Sequence, residues 1–204
     1  MKKKVLTIAL SVALIAAAVT GATLAFFTDA KTAENTFTVG NVAIILDEAP
    51  VERIADEYGI AEWVTDDGSE RITANTYEKV YPGAVLPKDP IVWNTGASPA
   101  YVRVKVVILN AAQWGLDDVS AILNGLNMTD WTLDGTQSSE GAVTLTYSYN
   151  TVLAAGSDTG ALFTAVSIPD EAEALENFKI NLMAEAIQAE GFADADAAWA
   201  AFDE

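Results

Sequence analysis

The chain contains no cysteine and no histidine among its 204 residues. Without cysteine it has no disulfide, no zinc–thiolate site and no thiol nucleophile. Without histidine it lacks the commonest general base and the histidine-based zinc motifs. Because many secreted animal domains of this size carry disulfides, their absence favours an exported bacterial protein.

Basic residues are also scarce, since 11 Lys and Arg stand against 29 Asp and Glu and the formal net charge is −18. A charge of this sign repels nucleic-acid phosphates and anionic lipids, so neither is expected as a partner. It attracts cations and leaves calcium open as a ligand, although no calcium-loop motif is present. The Asp66-Asp67-Gly68 and Asp194-Ala195-Asp196 stretches are expected to be turn and helix-cap residues. No cofactor is therefore predicted.

The N-terminus has the parts of a secretory signal peptide. Lys2–Lys4 form a positive segment, Val5–Val19 is apolar and alanine-rich, and small side chains lead up to Ala25. We predict a signal peptide over residues 1–25, cleaved before Phe26, and a chain that contacts the membrane only before cleavage. The alternative is an uncleaved anchor, because the charge-free run after the lysines is long enough to span a bilayer.

The rest of the chain, residues 26–204, is predicted to be a single domain. Short alternating segments with turn signals between them, and no regular βα alternation, indicate an all-β fold. We expect an antiparallel β-sandwich, jelly-roll-like or immunoglobulin-like, with short helical insertions and a short C-terminal helix. The clearest strand is Pro99–Leu109. One of its faces is uniformly aliphatic and must be core: Val102, Val104, Val106 and Ile108.

Local patterns predict the remaining elements. Further strands are expected over Asn35–Leu46 (kinked at Gly40), Val85–Trp93 (at best an edge strand, because of Pro87 and Pro90), Val143–Tyr149, Ala161–Ile168 and Phe178–Ala186. Short helices are expected over Val51–Tyr58, from a cap at Asp117-Asp118 through Asn124-Gly125, and from Asp194 to Phe202 within the tail 192–204. Hairpins are expected to join Glu62–Thr65 with Arg71–Ala74 and to turn at Asp134-Gly135. Phe178–Ala186 has the composition of a helix, but its unbroken period of two favours a strand.

Three stretches of this sequence together resemble one protein family. They are the signal boundary Gly21–Asp29, the segment Asn35–Val42, and the run from Val80-Tyr81-Pro82-Gly83 through Ile91–Gly96 into the long strand. In these stretches the chain is similar to the TasA/camelysin family of Gram-positive bacteria, which is exported through the signal peptidase SipW. The segments 47–76 and 192–204 are not covered by this resemblance.

The resemblance implies a secreted jelly-roll subunit of extracellular biofilm-matrix or cell-surface fibres. In such fibres, residues 26–40 would form a donor strand that completes the sheet of the next copy, a head-to-tail contact that makes filaments. The partners would be copies of the same chain, and a signal peptidase during export. The residues carried over to the donor strand are Phe26, Phe27, Asp29, Phe37 and Val39. Alternatively, the two leading phenylalanines serve only peptidase recognition or fold onto their own core.

Two other functions are alternatives to the fibre subunit. A camelysin-like metalloprotease would need nitrogen or sulfur ligands for zinc, and only carboxylates are available, so no enzyme is expected. A monomeric adhesion or glycan-binding module would need an exposed aromatic platform. The candidates for that platform, which core packing would equally explain, are Trp63, Trp93, Trp114, Trp131, Tyr147 and Tyr149.

Overall fold

A computed structural model of the chain describes residues 28–32 (backbone), 42–55, 61–78, 80–111, 118–139, 141–170 and 179–204. Strands account for most of the regular structure in these ranges. They are β1 (Thr28–Thr32), β2 (Ile44–Asp47), β3 (Val51–Ala55), β4 (Ala61–Thr65), β5 (Val85–Pro87), β6 (Ile91–Asn94), β7 (Ala100–Ile108), β8 (Leu123–Asn124), β9 (Trp131–Ser139), β10 (Ala142–Tyr149), β11 (Asp158–Ala161), β12 (Ala165–Ser167) and β13 (Ile180–Gln188). A 3₁₀ helix covers Val119–Ile122, and the helix α1 covers Ala195–Phe202.

The strands form one large sheet and three small ones. The large sheet has the order β1-β13-β7-β10-β9, and two three-stranded sheets have the orders β11-β6-β2 and β5-β12-β8. The strands β3 and β4 form a separate two-stranded ribbon. Strand pairing within these sheets is antiparallel. The predicted all-β, antiparallel, sandwich-like fold with a short C-terminal helix is therefore confirmed.

The core lies between the inner face of the large sheet and the two three-stranded sheets. The aliphatic face of β7 is at most 1% exposed, as the alternation predicted. It packs in one continuous cluster with side chains from β2, β6, β10 and β13. Trp131, Tyr147 and Phe163 are the largest side chains that are fully buried. Since burial of each large apolar side chain is worth about 1.5–3 kcal/mol, this cluster is the main source of stability.

Two predictions in the segment after β2 were wrong. The expected helix over Val51–Tyr58 is, at Val51–Ala55, the strand β3, which pairs with β4. The segment Glu62–Thr65 therefore pairs with β3 and not with Arg71–Ala74. Ile72 instead forms an isolated bridge with Glu48 beside β2. The helix propensity of Val51–Ala55 is outweighed here, because this segment pairs along its whole length with the antiparallel strand β4.

Three predicted boundaries also need correction. The Asp134-Gly135 pair does not turn the chain, because β9 continues to Ser139 and Asp134 is an extra residue at a bulge opposite β10. An Asp-Gly pair suits either feature, so the sequence alone did not distinguish them. The segment Val85–Trp93 forms two strands in different sheets, and of these β6 is central. The segment Ala161–Ile168 likewise contributes to β11 and β12, which belong to different sheets.

Other predictions were confirmed. The ambiguous segment Phe178–Ala186 is a strand where it is described, and it is extended as β13 to Gln188. The α1 helix begins after Asp194, whose side chain accepts a hydrogen bond from the amide of Ala197. Asp118 caps the 3₁₀ helix in the same way, but this helix ends at Ile122, and its predicted continuation is instead the strand β8, which pairs with β12. In the described parts of the chain, no helix is long and apolar enough to cross a membrane.

Candidate assembly site at strand β13

Strand β13 is the point at which both ends of the described chain meet. It is nine residues long and lies between β1 and β7 in the large sheet. The strand β1 covers its outer edge in antiparallel register, from Thr28 opposite Ile187 to Thr32 opposite Met183. Strand β1 is thus an edge strand, and β13 is its neighbour in the sheet.

Of the residues predicted to act in assembly, the structure describes one. Asp29 lies in β1, where its Cα is the partner of Ala186. The predicted cleavage residues Ala25 and Phe26 lie outside the described residues. The same holds for the other predicted donor-strand residues, which are Phe27, Phe37 and Val39.

The face of β13 that points away from the core carries a buried ion pair. Glu185 and Arg103 are Cα partners on β13 and β7, and they are only 4% and 7% exposed. The Arg103 Nε donates to Glu185, and Lys105 Nζ lies 2.7 Å from the other carboxylate oxygen. The two terminal nitrogens of Arg103 donate to Asp203 at 2.9 and 2.6 Å. A single arginine thus joins the strand to the residue that follows α1.

Aromatic side chains of α1 cover this arginine. The guanidinium carbon of Arg103 lies 4.4 Å from the ring centroid of Trp199 and 5.1 Å from that of Phe202. The two rings meet edge to face, with centroids 5.5 Å apart. Ala198 and Ile187 are completely buried. The expectation that Trp199 docks on the sandwich is confirmed, and the contact combines cation–π attraction with apolar packing.

The charges of this cluster stabilise one another. Burial alone would lower the pKa of Arg103, but hydrogen bonds to Asp203 and Glu185 outweigh it, and the net pKa is raised. The hydrogen bond from Arg103 lowers the pKa of the Asp203 carboxyl below its ordinary value. The ion pair of Arg103 and Asp203 therefore remains charged at neutral pH, and it holds α1 on the same stretch of β13 that β1 borders.

Sequence reasoning missed this cluster, although a signal was present. Arg103 and Lys105 stand in the most apolar strand of the chain, and Glu185 interrupts an otherwise apolar stretch of β13. Charged residues within an apolar strand indicate that one side of the sheet is either exposed to solvent or covered by charged partners. Only the position of α1 in the fold decides between those two situations.

A second charged cluster holds the segment around Arg71 against β2. Arg71 donates to Asp47 at 2.6 Å and to Asp89 at 2.8 Å. Glu48 is 2% exposed and forms an ion pair with Lys88. Each of these carboxylates is engaged by a cation of the chain itself. Over the described ranges, no group of three or more His, Cys, Asp or Glu residues is arranged to hold a metal ion.

The aromatic residues considered for a glycan platform are mostly packed. Trp131 and Tyr147 are each 1% exposed. Trp63 packs edge to face on Tyr77, with centroids 5.1 Å apart. Trp93 is half-buried and donates to Asp47 from its indole nitrogen at 3.1 Å. Trp114 lies outside the described residues, and the others occupy the packing positions that the alternative explanation requires.

Comparison with known proteins bears mainly on the N-terminus. The family model described as camelysin metallo-endopeptidase matches residues 1–57. No curated protein and no solved structure gives a significant match. The match includes the predicted signal boundary and the segment before β2, two of the three stretches that carry the resemblance described above, and it does not reach the third. Over residues 1–57, similarity to the TasA/camelysin family is thereby confirmed at the level of the family.

Proposed function

We propose that this chain is a secreted structural subunit that assembles into extracellular fibres by exchange of its N-terminal strand. The observation that carries the proposal is the position of β1. It begins two residues after the predicted new N-terminus at Phe26, and it lies at the edge of the large sheet. The proposed subunit is exported, as the signal-like N-terminus and the family match over residues 1–57 suggest.

Strand exchange is physically reasonable because it conserves the contacts of β1. The β1 strand of a second copy can take the same register on β13 and form the same backbone hydrogen bonds. The free-energy difference between the closed monomer and the exchanged pair then depends on protein concentration and on strain in the connection from β1 to β2. Since the contact is head to tail and does not close, it produces filaments.

The proposed role is non-enzymatic and needs no resident cofactor. The name of the matching family refers to a metallo-endopeptidase, but the chain has neither histidine nor cysteine to ligate zinc. Purified protein should show no chelator-sensitive hydrolysis of casein. Such hydrolysis, if it co-purified with the chain, would contradict this part of the proposal. Millimolar calcium should change neither stability nor assembly.

A reversible lock on β1 tests the strand exchange directly. Thr32 and Met183 are Cα partners, and the chain has no other cysteine, so Thr32→Cys with Met183→Cys places one cross-strand disulfide between β1 and β13. Monomer oxidised before assembly should stay monomeric and should form fibres in electron micrographs after reduction. Fibres oxidised after assembly should give a covalent ladder on non-reducing gels.

Two controls define the outcome. The unsubstituted chain from Phe26 should assemble with or without reductant, and a chain starting at Gly40, which lacks β1, should stay monomeric. Fibres that form equally well from the locked monomer would disprove strand exchange. If no version assembles under any condition tried, the fibre function itself fails.

A further inference from the structure

Among the described residues, no strand pairs with the edge of the large sheet opposite β1. Strand β9 is nine residues long, and β10 is its neighbour in the sheet. Its eight residues from Thr132 to Ser139 are all exposed. In an antiparallel sheet, alternate residues of an edge strand point their amide and carbonyl groups outward. This edge therefore presents a row of backbone hydrogen-bonding groups to any strand that can reach it.

Several other described edges are better protected against pairing than β9. The edges β2, β8 and β11 have four, two and four residues, and β5 has three with Pro87 at its end. The ribbon strand β3 carries two adjacent charges, Glu52 and Arg53. Short length, proline, charge and bulges are the usual means by which proteins prevent edge pairing. Strand β9 is long and contains neither proline nor lysine, and its one charge and its bulge both lie at Asp134, so the segment after the bulge is unprotected.

The side chains of β9 also differ from the rest of this acidic chain. Asp134 is the one charged residue in the strand, and it accepts a hydrogen bond from Ser148 on β10. The regular part of the strand after the bulge reads Gly-Thr-Gln-Ser-Ser, residues 135–139. Hydroxyl and amide groups both donate and accept hydrogen bonds, so such a strand is complementary to itself.

We infer that β9 is a pairing edge for the β9 strand of a second copy, in antiparallel orientation about a two-fold axis. A foreign peptide added to a sheet edge is selected by pockets for its alternate side chains. Strand β9 is exposed on both faces and so has no walls that could form such pockets. In a molecule of net charge −18, a nearly uncharged edge is also a place where two copies meet with little repulsion.

Symmetry, charge and the extent of the exposed edge together select the register. Opposite residues share a face of the sheet, so a two-fold axis perpendicular to the sheet passes between one residue and its own copy. A centre at Asp134 would place two carboxylates opposite each other. A centre at Thr136, near the middle of the exposed residues Thr132–Ser139, avoids this and places Asp134 opposite Ser138.

This inference does not rest on the proposed function, because β9 and β1 are at opposite edges of the sheet. If β1 builds a filament, β9 pairing joins neighbouring filaments side by side, and many weak contacts then act together. If strand exchange does not occur, the same edge gives a weak two-fold dimer. The position of a covalent cross-link separates this contact from one made through β1.

The absence of native cysteine makes single-cysteine cross-linking a clean test. In the whole secreted chain, Thr136→Cys should form a disulfide-linked dimer under mild oxidation. The matched control in the same strand is Thr132→Cys, whose two sulfurs would be separated by about 26 Å, eight residues of extended chain. That is far beyond the Cα separation of about 4.4–6.8 Å that a disulfide spans. Thr151→Cys, on an exposed turn, measures random collision.

A charge variant gives an independent readout. Thr136→Asp places two carboxylates opposite each other at the two-fold axis, and it should lower the association constant in sedimentation by about fivefold. Thr151→Asp adds the same charge elsewhere and should leave association nearly unchanged. Salt should strengthen association of the unsubstituted chain, since the remaining surfaces repel. Cross-linking at Thr136 no faster than at Thr132 and Thr151, or equal effects of the two aspartates, would overturn the inference.

Discussion

Replacing Arg103 by methionine removes the charge that joins β7, β13 and the C-terminal segment. Methionine is close to the arginine stem in length and keeps apolar contact with Trp199. The substitution therefore deletes the ion pairs and the cation–π contact without emptying the space beneath α1. We expect it to destabilise the whole domain and to loosen α1 first.

The expected loss follows from the burial of each contact. Glu185 has a side-chain exposure of 6%, and removing one partner of a buried ion pair costs about 3–5 kcal/mol. Lys105 remains at 2.7 Å from the Glu185 carboxylate, which places the loss at the low end of that range. Asp203 has a side-chain exposure of 57%, so its ion pair contributes only about 0.2–1 kcal/mol. The total for Arg103→Met is therefore about 3–4 kcal/mol.

Urea unfolding followed by circular dichroism measures this loss, with Asp203→Asn as the matched control. The control should cost less than about 1 kcal/mol. Adding Glu185→Met to Arg103→Met should restore part of the stability, because an apolar pair tolerates burial better than a carboxylate that has lost one of its two cations. The reasoning would be refuted if Arg103→Met cost no more than Asp203→Asn, or if the double substitution were less stable than the single one.

Two further predictions concern pH and one glycine. Because the hydrogen bond from Arg103 lowers the pKa of Asp203, its stabilising effect is present above the ordinary aspartate value of about 3.9 and is lost as the pH falls below it. The protection factors of the α1 amides, that is, their exchange rates relative to those of an unfolded chain at the same pH, should fall in that acid range, and Asp203→Asn should remove this fall. Gly125→Ala should cost about 2 kcal/mol in urea unfolding, since Gly125 has φ +65° and a Cβ would lie 2.3 Å from Thr164 Oγ1. Gly135→Ala, where a Cβ meets nothing within 4 Å, should cost almost nothing, and equal losses would contradict the argument.

Features with a strong local period could be predicted from the sequence. The alternation in Pro99–Leu109 identified β7 and its core face, and the unbroken period of two in Phe178–Ala186 outweighed its helical composition. Strand pairings that depend on another segment of the chain could not be predicted. Val51–Ala55 pairs with β4, and Asp134 lies at a bulge opposite β10 and not in a turn.

The candidate site shows the same division. The roles of the N-terminal residues in export and assembly stay predictions, since they rest on a signal-like composition and on resemblance to a known family. The buried pair of Arg103 and Glu185 could not be assigned, because 82 residues separate its members in the sequence. Its third member, Asp203, is 100 residues from Arg103. Only the register of β7 on β13 and the docking of α1 bring the three together.

The convergence of β1 and α1 on β13 restricts how the protein can be handled in the laboratory. An affinity tag fused after Glu204 would adjoin the Asp203 carboxylate that accepts from Arg103. A tag left before Thr28 would add residues directly ahead of the edge strand β1 and would hinder its proposed exchange between copies. The exposed turn around Gly156 is far in sequence from both ends, and a side chain added at Gly156 would meet nothing within 4 Å, so this turn is the better place for a label.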